Sequence, residues 1–166
     1  MSHLYISIDN GLIGGLVALS DHPCAPIAMS PMPTRGKKKG NEVDALAFYE
    51  WLLSLDCAFD RMTVILETPC KHSPGVMALC SMWDSYGAVR AVLECRGIRH
   101  HRIAPRTWQA VMMTGCHKGD TKPAALLKAR QLWPDEKWLK TPRCKTPDMG
   151  LVDAALIGEY GRIKNL

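Results

Sequence analysis

The N-terminal stretch LYISIDNGLIGGLVALS constrains the fold more than any other part of the chain. Leu4, Ile6 and Ile8 alternate with Tyr5 and Ser7, the period-two pattern of a strand rich in β-branched residues. This strand ends on a carboxylate, Asp9. Asn10 and Gly11 both tolerate positive φ, so the spacing predicts a tight turn followed by a return strand over 13–19. Gly14 and Gly15 in that return strand leave room for another backbone or a ligand to come close. Two readings of Asp9 stand at this point. It either begins the Asp-Asn-Gly turn or offers a metal ligand at the end of a central strand.

The rest of the chain supplies further elements. Residues 26–32 fit a third short strand. The stretch TRGKKKGN over 34–41 is basic and lacks apolar residues, which predicts a mobile loop, either solvated surface or a phosphate-contacting arm. Helical spacing follows over 43–55, with Asp44 in the first turn, where a negative charge suits the helix dipole. An unbroken apolar run over 62–66 reads as a buried strand, and it ends on a second carboxylate, Glu67, before Pro69. Ser73-Pro74 starts a helix expected to reach Cys95. It carries Leu79, Met82, Tyr86, Val89 and Leu93 on one stripe and ends at Gly97. Core packing is the default role for such a stripe, with a partner surface as the other reading of Met77, Trp83 and Tyr86.

A short strand over 98–103 contains His100 and His101, which as neighbours on a strand face opposite sides and cannot readily share one metal. Pro105 opens a short helix running toward Gly115. After a polar loop, Asp120 or Thr121 caps a helix over 123–133. A Pro- and Lys-rich connection over 133–147 leads to a last helix over 149–162, where Asp153 stands among Val152, Ala154, Ala155 and Leu156. A hairpin-rich start followed by strand–helix–strand connections predicts an α/β fold, a mixed sheet with helices on both faces.

A length of 166 residues predicts one domain, 1–166, and a hydrophobic content of 47% suffices for a real core. No apolar run approaches the roughly 20 residues of a membrane span. The start has no basic-then-apolar leader, so the expectation is a cytoplasmic protein with no membrane partner. The net charge of +5 modestly favours a polyanionic partner. Seven cysteines, an odd number with no CxxC pair, are expected as reduced thiols, mostly small core residues. Cys70 with His72 and Cys116 with His117 fit no standard zinc spacing.

Three carboxylates share a character. Asp9 and Glu67 end apolar strands, and Asp153 sits in an apolar helical context. Charges are rarely buried without a partner or a metal. If the strands ending at Asp9 and Glu67 are neighbours, they lie about 4.8 Å apart and a docking helix can bring Asp153 to them. Such a set stays ionised only around cations, and hard oxygen ligands suit Mg²⁺ or Mn²⁺. Two such ions roughly 3.5–4 Å apart would activate a water and stabilise the leaving oxygen of a phosphodiester.

Taken together, the hairpin IDNGLIGGLVAL, VILETP, PRTWQ, GDTKPAALLKARQLWP and PDMGLVDAALIGEYGR resemble, in order and spacing, the RuvC-like Holliday-junction resolvases of the RNase H-like superfamily. The phage-encoded members and the chloroplast resolvases of plants are the most similar. The resemblance spans nearly the whole chain. It implies an RNase H-like fold with a five-stranded mixed sheet, and a metal-dependent endonuclease that resolves four-way junctions and other branched DNA. It implies metal-ligand roles for Asp9, Glu67 and Asp153, with Asp148 as fourth acidic position, and a place for Lys122 near the phosphate or the attacking water. Two Mg²⁺ ions per site, replaceable by Mn²⁺, are expected, in the cytosol of a bacterium or phage-infected host. Paired cuts imply a homodimer, with the helix over 74–95 as one possible interface element. Arg35, Lys37, Lys38, Lys39, Lys71, Arg106, Lys118 and Lys122 are the basic candidates for DNA backbone contact.

One departure bears on the fourth acid. Plant-type relatives carry a histidine at the position of Met149. Residues five apart on a helix point about 140° away from each other, so Asp148 reaches the site of Asp153 only if it precedes the helix. A helix-start charge is the other reading of Asp148. Two other functions compete with the nuclease. One is an RNase H-like DNA-binding protein with a dead nuclease site. The other is a small sugar-kinase-like ATPase domain, for which the chain lacks a second glycine-rich phosphate loop and the length of a two-domain clamp.

Overall fold

The computed structural model of the chain describes residues 3–22, 25–37, 40–70, 75–115 and 121–166, with only the backbone of Lys37 and Gly40. Strand β1 (Leu4–Asp9) lies at the centre of a five-stranded sheet. With β2 (Gly15–Ser20), β3 (Ala28–Pro31), β6 (Met62–Glu67) and β7 (His100–Ile103), the order is β3-β2-β1-β6-β7. The meander β1-β2-β3 is antiparallel, whereas β1-β6 and β6-β7 are parallel. The sheet is therefore mixed and five-stranded, as expected.

Alternation along the strands decides what each face buries. Leu4, Ile6, Ile8, Met62, Val64 and Leu66 point to one side. There they meet Phe48 and Leu52 of α1 (Ala45–Ser54) and Tyr86, Val89 and Leu93 of α2 (Val76–Cys95). Tyr5, Val17, Leu19 and Ile65 point to the other side, against α3 (Pro105–Met112), α4 (Thr121–Leu132) and α5 (Met149–Ile163). Helices cover both faces, and the parallel pairs follow from the crossovers that carry α2 and its neighbours.

Helix α5 lies directly on β1 and β2, and its eleven residues from Gly150 to Gly161 other than Asp153 are buried. Glycines set that distance. A Cβ on Gly150 would stand 2.5 Å from the Ile13 carbonyl oxygen and 2.6 Å from Gly14 C, and one on Gly15 would meet Gly150 at 2.8 Å. The close backbone approach expected at Gly14 and Gly15 is the start of α5. Because the neighbours are backbone and cannot rotate away, Gly150→Ala is expected to cost at least the roughly 1–3 kcal/mol typical of overpacking. Chemical denaturation of the variant checks this, and a midpoint equal to that of the parent protein would contradict it.

Several expectations are corrected. Residues 34–37 and 40–41 are strand, not the expected loop, while Lys38 and Lys39 lie outside the described residues. Thr34–Lys37 (β4) and Gly40–Val43 (β5) form a two-stranded hairpin, with Thr34 opposite Val43 and Arg35 opposite Glu42. An Arg35–Glu42 ion pair of 2.7 Å crosses it. The hairpin has no apolar alternation to read, because cross-strand pairing and charge hold it rather than a buried face. Val43 closes this hairpin, and Asp44 is not in the first turn of α1 but its N-cap, accepting from Leu46 and Ala47 N–H at 3.1 Å each. The return strand begins at Gly15, not at residue 13. A five-residue loop, 10–14, precedes it, closed by Gly14 N–H to Gly11 carbonyl at 3.1 Å, and Ile13 within it is exposed. Gly11 has φ +150°, but Asn10 is not in the positive-φ region.

Met77 and Trp83 are exposed rather than core, while Tyr86, Val89 and Leu93 are buried as expected. The cysteines Cys70, Cys80 and Cys95 are exposed and Cys57 and Cys144 half-buried, all free. They are thiols as expected but not core residues, since two of them sit on the solvent side of α2. The stop at Gly97 holds. Gly97 has φ +64°, its N–H reaches Glu94 carbonyl at 3.1 Å and Ile98 N–H reaches Leu93 carbonyl at 2.9 Å, a Schellman close.

Candidate active site

The register places the first two carboxylates together. The parallel ladder pairs Ile6 with Val64 and Ile8 with Leu66, so Asp9 and Glu67 follow side by side at the same edge of the sheet. Both stand on the odd-numbered face, with Tyr5, Ser7 and Ile65, which is the face α5 covers. Asp148 and Asp153 lie at the start and in the second turn of that helix. All four acids are half-buried.

Their mutual influence shows in their proton affinities. Burial raises the Asp9 carboxyl well above the ordinary carboxylate range, and the charges of Glu67 and Asp153, a hydrogen bond with Glu67 and the charge of Asp148 raise it further. Burial also raises Glu67, while hydrogen bonds from Trp108 and Asp9 pull it back. Asp153 is pushed up to about 7, chiefly by burial and then by Glu67, against the opposing charge of Lys122. Four carboxyl groups therefore share one field, and an exposed cation, Lys122 on α4, is close enough to act on Asp153.

Asp148 occupies the residue before α5, with φ −84° and ψ 116°. Its Oδ1 accepts from Gly150 N–H at 2.9 Å and Leu151 N–H at 3.2 Å, so it caps the helix. It also precedes the helix, which is the condition for a ligand role. The cap is observed, and it leaves Oδ2 outside both cap bonds.

The donor set fits a hard divalent cation. All four groups are carboxylates, their burial leaves them short of water, and among the described residues Lys122 is the cation that offsets the charge of Asp153. No group of three or more His, Cys, Asp or Glu among the described residues is already gathered tightly enough to hold an ion. Asp9 and Glu67 hydrogen-bond each other, and Asp148 is engaged by the helix start.

A pH dependence follows. Unfolded carboxyls titrate near pH 4, whereas Asp9, Glu67 and Asp153 hold their protons to higher pH in the metal-free fold. Between about pH 4 and about pH 7 the folded state therefore binds more protons than the unfolded state, and stability falls as pH rises. The metal-free thermal midpoint is expected to fall across that window by more than it does in Asp153→Asn. Mg²⁺ should restore most at the upper end, where the carboxylates are ionised. Melting with EDTA or with Mg²⁺ at several pH values checks this, and equal pH slopes for parent and variant would refute it.

Three contributors to the site have no role predictable from local sequence. Trp108 is 1% exposed and donates its indole N–H to Glu67 Oε1 at 2.6 Å. Asn10 is buried and donates from Nδ2 to the Met82 carbonyl at 3.1 Å, tying the loop beside Asp9 to α2. Trp138, in the left-handed region at φ +55°, presents its carbonyl to Asp148 N–H at 2.7 Å. Only the motif PRTWQ marks the first of these.

The basic candidates are scattered differently. Arg35 lies on the hairpin and is paired with Glu42, and Arg106 is exposed at the second position of α3. The hairpin joins the sheet at the acidic edge, since Met32 N–H reaches Gly14 carbonyl and Asp44 N–H reaches Pro33 carbonyl, each at 2.9 Å. Lys37 contributes its backbone to β4, and Lys38, Lys39, Lys71 and Lys118 lie outside the described residues, as do His72, Cys116 and His117. His100 and His101 pair with Val64 and Ile65 and so face opposite sides, as expected.

Comparison with known proteins places the architecture. The sequence matches no protein-family model and no curated protein. Among solved structures, it is similar to Thermus thermophilus RuvC in complex with a Holliday junction substrate, with a TM-score of 0.57 and 14% identity over 98% of this chain and 96% of that one. A second Thermus thermophilus RuvC structure gives a TM-score of 0.54 at the same identity and coverage. The fold is RuvC-like, of the RNase H-like α/β class.

Proposed function

We propose that this chain is a divalent-metal-dependent endonuclease that resolves four-way junctions and other branched DNA by paired phosphodiester hydrolysis. The observation that carries the reading is that Asp9 and Glu67 end adjacent parallel strands at one sheet edge, where the charges of Asp153 and Asp148 act on Asp9. The shared fold with a protein solved on a Holliday junction supports the substrate class. In this reading the four carboxylates hold Mg²⁺, with Mn²⁺ able to replace it and two ions per site. When bound, the metal supplies a Lewis acid and an activated water. Glu67 is oriented by Trp108, Asp148 by the first turn of α5, and Lys122 balances charge beside Asp153, where a phosphate oxygen would approach.

The basic hairpin rooted at the acidic edge supports a DNA backbone contact through Arg35 and Lys37 to Lys39, with Lys71, Arg106, Lys118 and Lys122 as further contacts. The order of the five motifs along the chain supports a phage-encoded or chloroplast type of resolvase. Paired cutting calls for a homodimer, and α2 offers exposed Val76, Met77 and Trp83 for such an interface. No helix among the described residues is long and apolar enough to cross a membrane.

The test is incubation of the pure protein with linear, flap and four-way DNAs, with and without Mg²⁺. Symmetric nicks in the four-way junction that require the metal are expected. Tight junction binding without cutting would instead identify a DNA-binding protein with an inactive site. Nucleotide hydrolysis without cutting would point to an ATPase.

A further inference from the structure

We propose that Trp108 is a positioning residue for Glu67, and that its indole N–H sets the orientation in which this carboxylate joins a divalent-cation site. The inference rests on the reading of the four acids as such a site. The hydrogen bond, 2.6 Å from Nε1 to Oε1, is at the short end for an N–H donor and typical of a charged acceptor. An indole N–H donates and never accepts, so its polarity is permanent, whereas a hydroxyl or a carboxyl in the same place could turn its proton elsewhere.

The donor is held in place by its surroundings. Register puts Ile103, the end of β7, opposite Glu67. The Ile103 carbonyl accepts from Thr68 N–H at 2.8 Å and from Thr68 Oγ1 at 3.2 Å, which ties the exit of β6 to the exit of β7. Two residues after Ile103, Pro105 opens α3, and Trp108 falls on the first turn's inward side. Its ring is packed in the same buried cluster as Met112, Ile103 and the inward residues of α5. Glu67 itself has three rotatable bonds and stands at a strand end, so nothing in its own backbone chooses a rotamer. The Trp108 bond makes that choice and commits Oε1.

A packing role alone would make the N–H incidental. The two roles separate when the N–H is removed and the ring volume kept. Trp108 is replaced by benzothienylalanine, whose sulfur takes the place of the N–H, and in a second variant by Phe. Mn²⁺ binding to the full chain without DNA is read from the free-ion paramagnetic signal, with wild type and Glu67→Gln as references. Both Trp108 variants are expected to bind Mn²⁺ more weakly by roughly 10- to 100-fold, the range found when a group that orients a metal ligand is removed. The metal-free melting midpoint of the benzothienylalanine protein should fall less than that of the Phe variant, since the ring volume is kept and only the hydrogen bond is lost. In wild-type protein, the indole N–H resonance of Trp108 should shift on addition of Mg²⁺.

Wild-type Mn²⁺ affinity in the benzothienylalanine protein overturns the proposal alone. So does a Trp108 resonance indifferent to Mg²⁺ in a protein that binds the metal. If wild type binds Mn²⁺ no better than Glu67→Gln, the cation-site reading falls and this proposal falls with it.

Discussion

Asp9→Asn and Glu67→Gln proteins are expected to cut a four-way junction in Mg²⁺ roughly 10³-fold more slowly than wild type, or worse. A metal site contributes several kcal/mol to stabilising the charge of a phosphodiester transition state, and each 1.36 kcal/mol is about tenfold in rate. Both side chains sit where two parallel strands end side by side, and both are raised in proton affinity, chiefly by burial. Removing one negative charge relieves the repulsion within the set. The variants should therefore remain folded, and at pH 8 without metal they should melt no lower than wild type. Junction binding in EDTA should be at least as tight, because one carboxylate less faces the phosphates. Single-turnover cleavage, a gel-shift titration and a melting curve check the three parts. Near-normal cleavage by either variant would refute the metal-site reading.

Asp148→Asn is expected to lose several orders of magnitude in cleavage while keeping its stability within about 1 kcal/mol. The structure makes this a clean separation. The cap bonds from Gly150 and Leu151 N–H both fall on Oδ1, and an asparagine side-chain oxygen can accept them in the same place. What asparagine cannot do is carry charge, so it loses the helix-dipole contribution of roughly 0.3–1 kcal/mol and any ligand role. Asp148→Ala should lose the same rate and, in addition, about 1 kcal/mol of cap stability. An active Asp148→Asn enzyme would reduce Asp148 to a cap and leave three carboxylates to the site.

Much of this arrangement is legible in the residues themselves, for a specific physical reason. Period-two alternation in LYISID and the apolar run MTVILE identify strands without any knowledge of their partners, and a charge at the end of each stands out against that background. Helix α5 is legible because Asp153 is the one charge in the small, apolar stretch 149–158 that opens it, and α2 because Gly97 ends it with the left-handed turn only glycine adopts cheaply. The β4–β5 hairpin is not legible, because Val43 is its one apolar residue and no alternation marks a buried face. Its signal is pairing, and pairing is not a property of one segment.

The sequence by itself determined the strands of the five-stranded sheet and the helices, the three carboxylates placed against apolar surroundings, and the glycines that permit a close approach near Asp9. Only the tertiary structure decided which neighbour those glycines admit. It is the backbone of Gly150, and this contact draws α5 onto the sheet and with it Asp148 and Asp153. The tertiary structure also decided that Trp108, 41 positions away in the chain, is the group that holds Glu67. Local sequence encodes periodicity and conformational freedom, which act over a few residues. The register of parallel strands and the packing of a core side chain against a distant carboxylate depend on which segments meet, and that is settled by the whole chain at once.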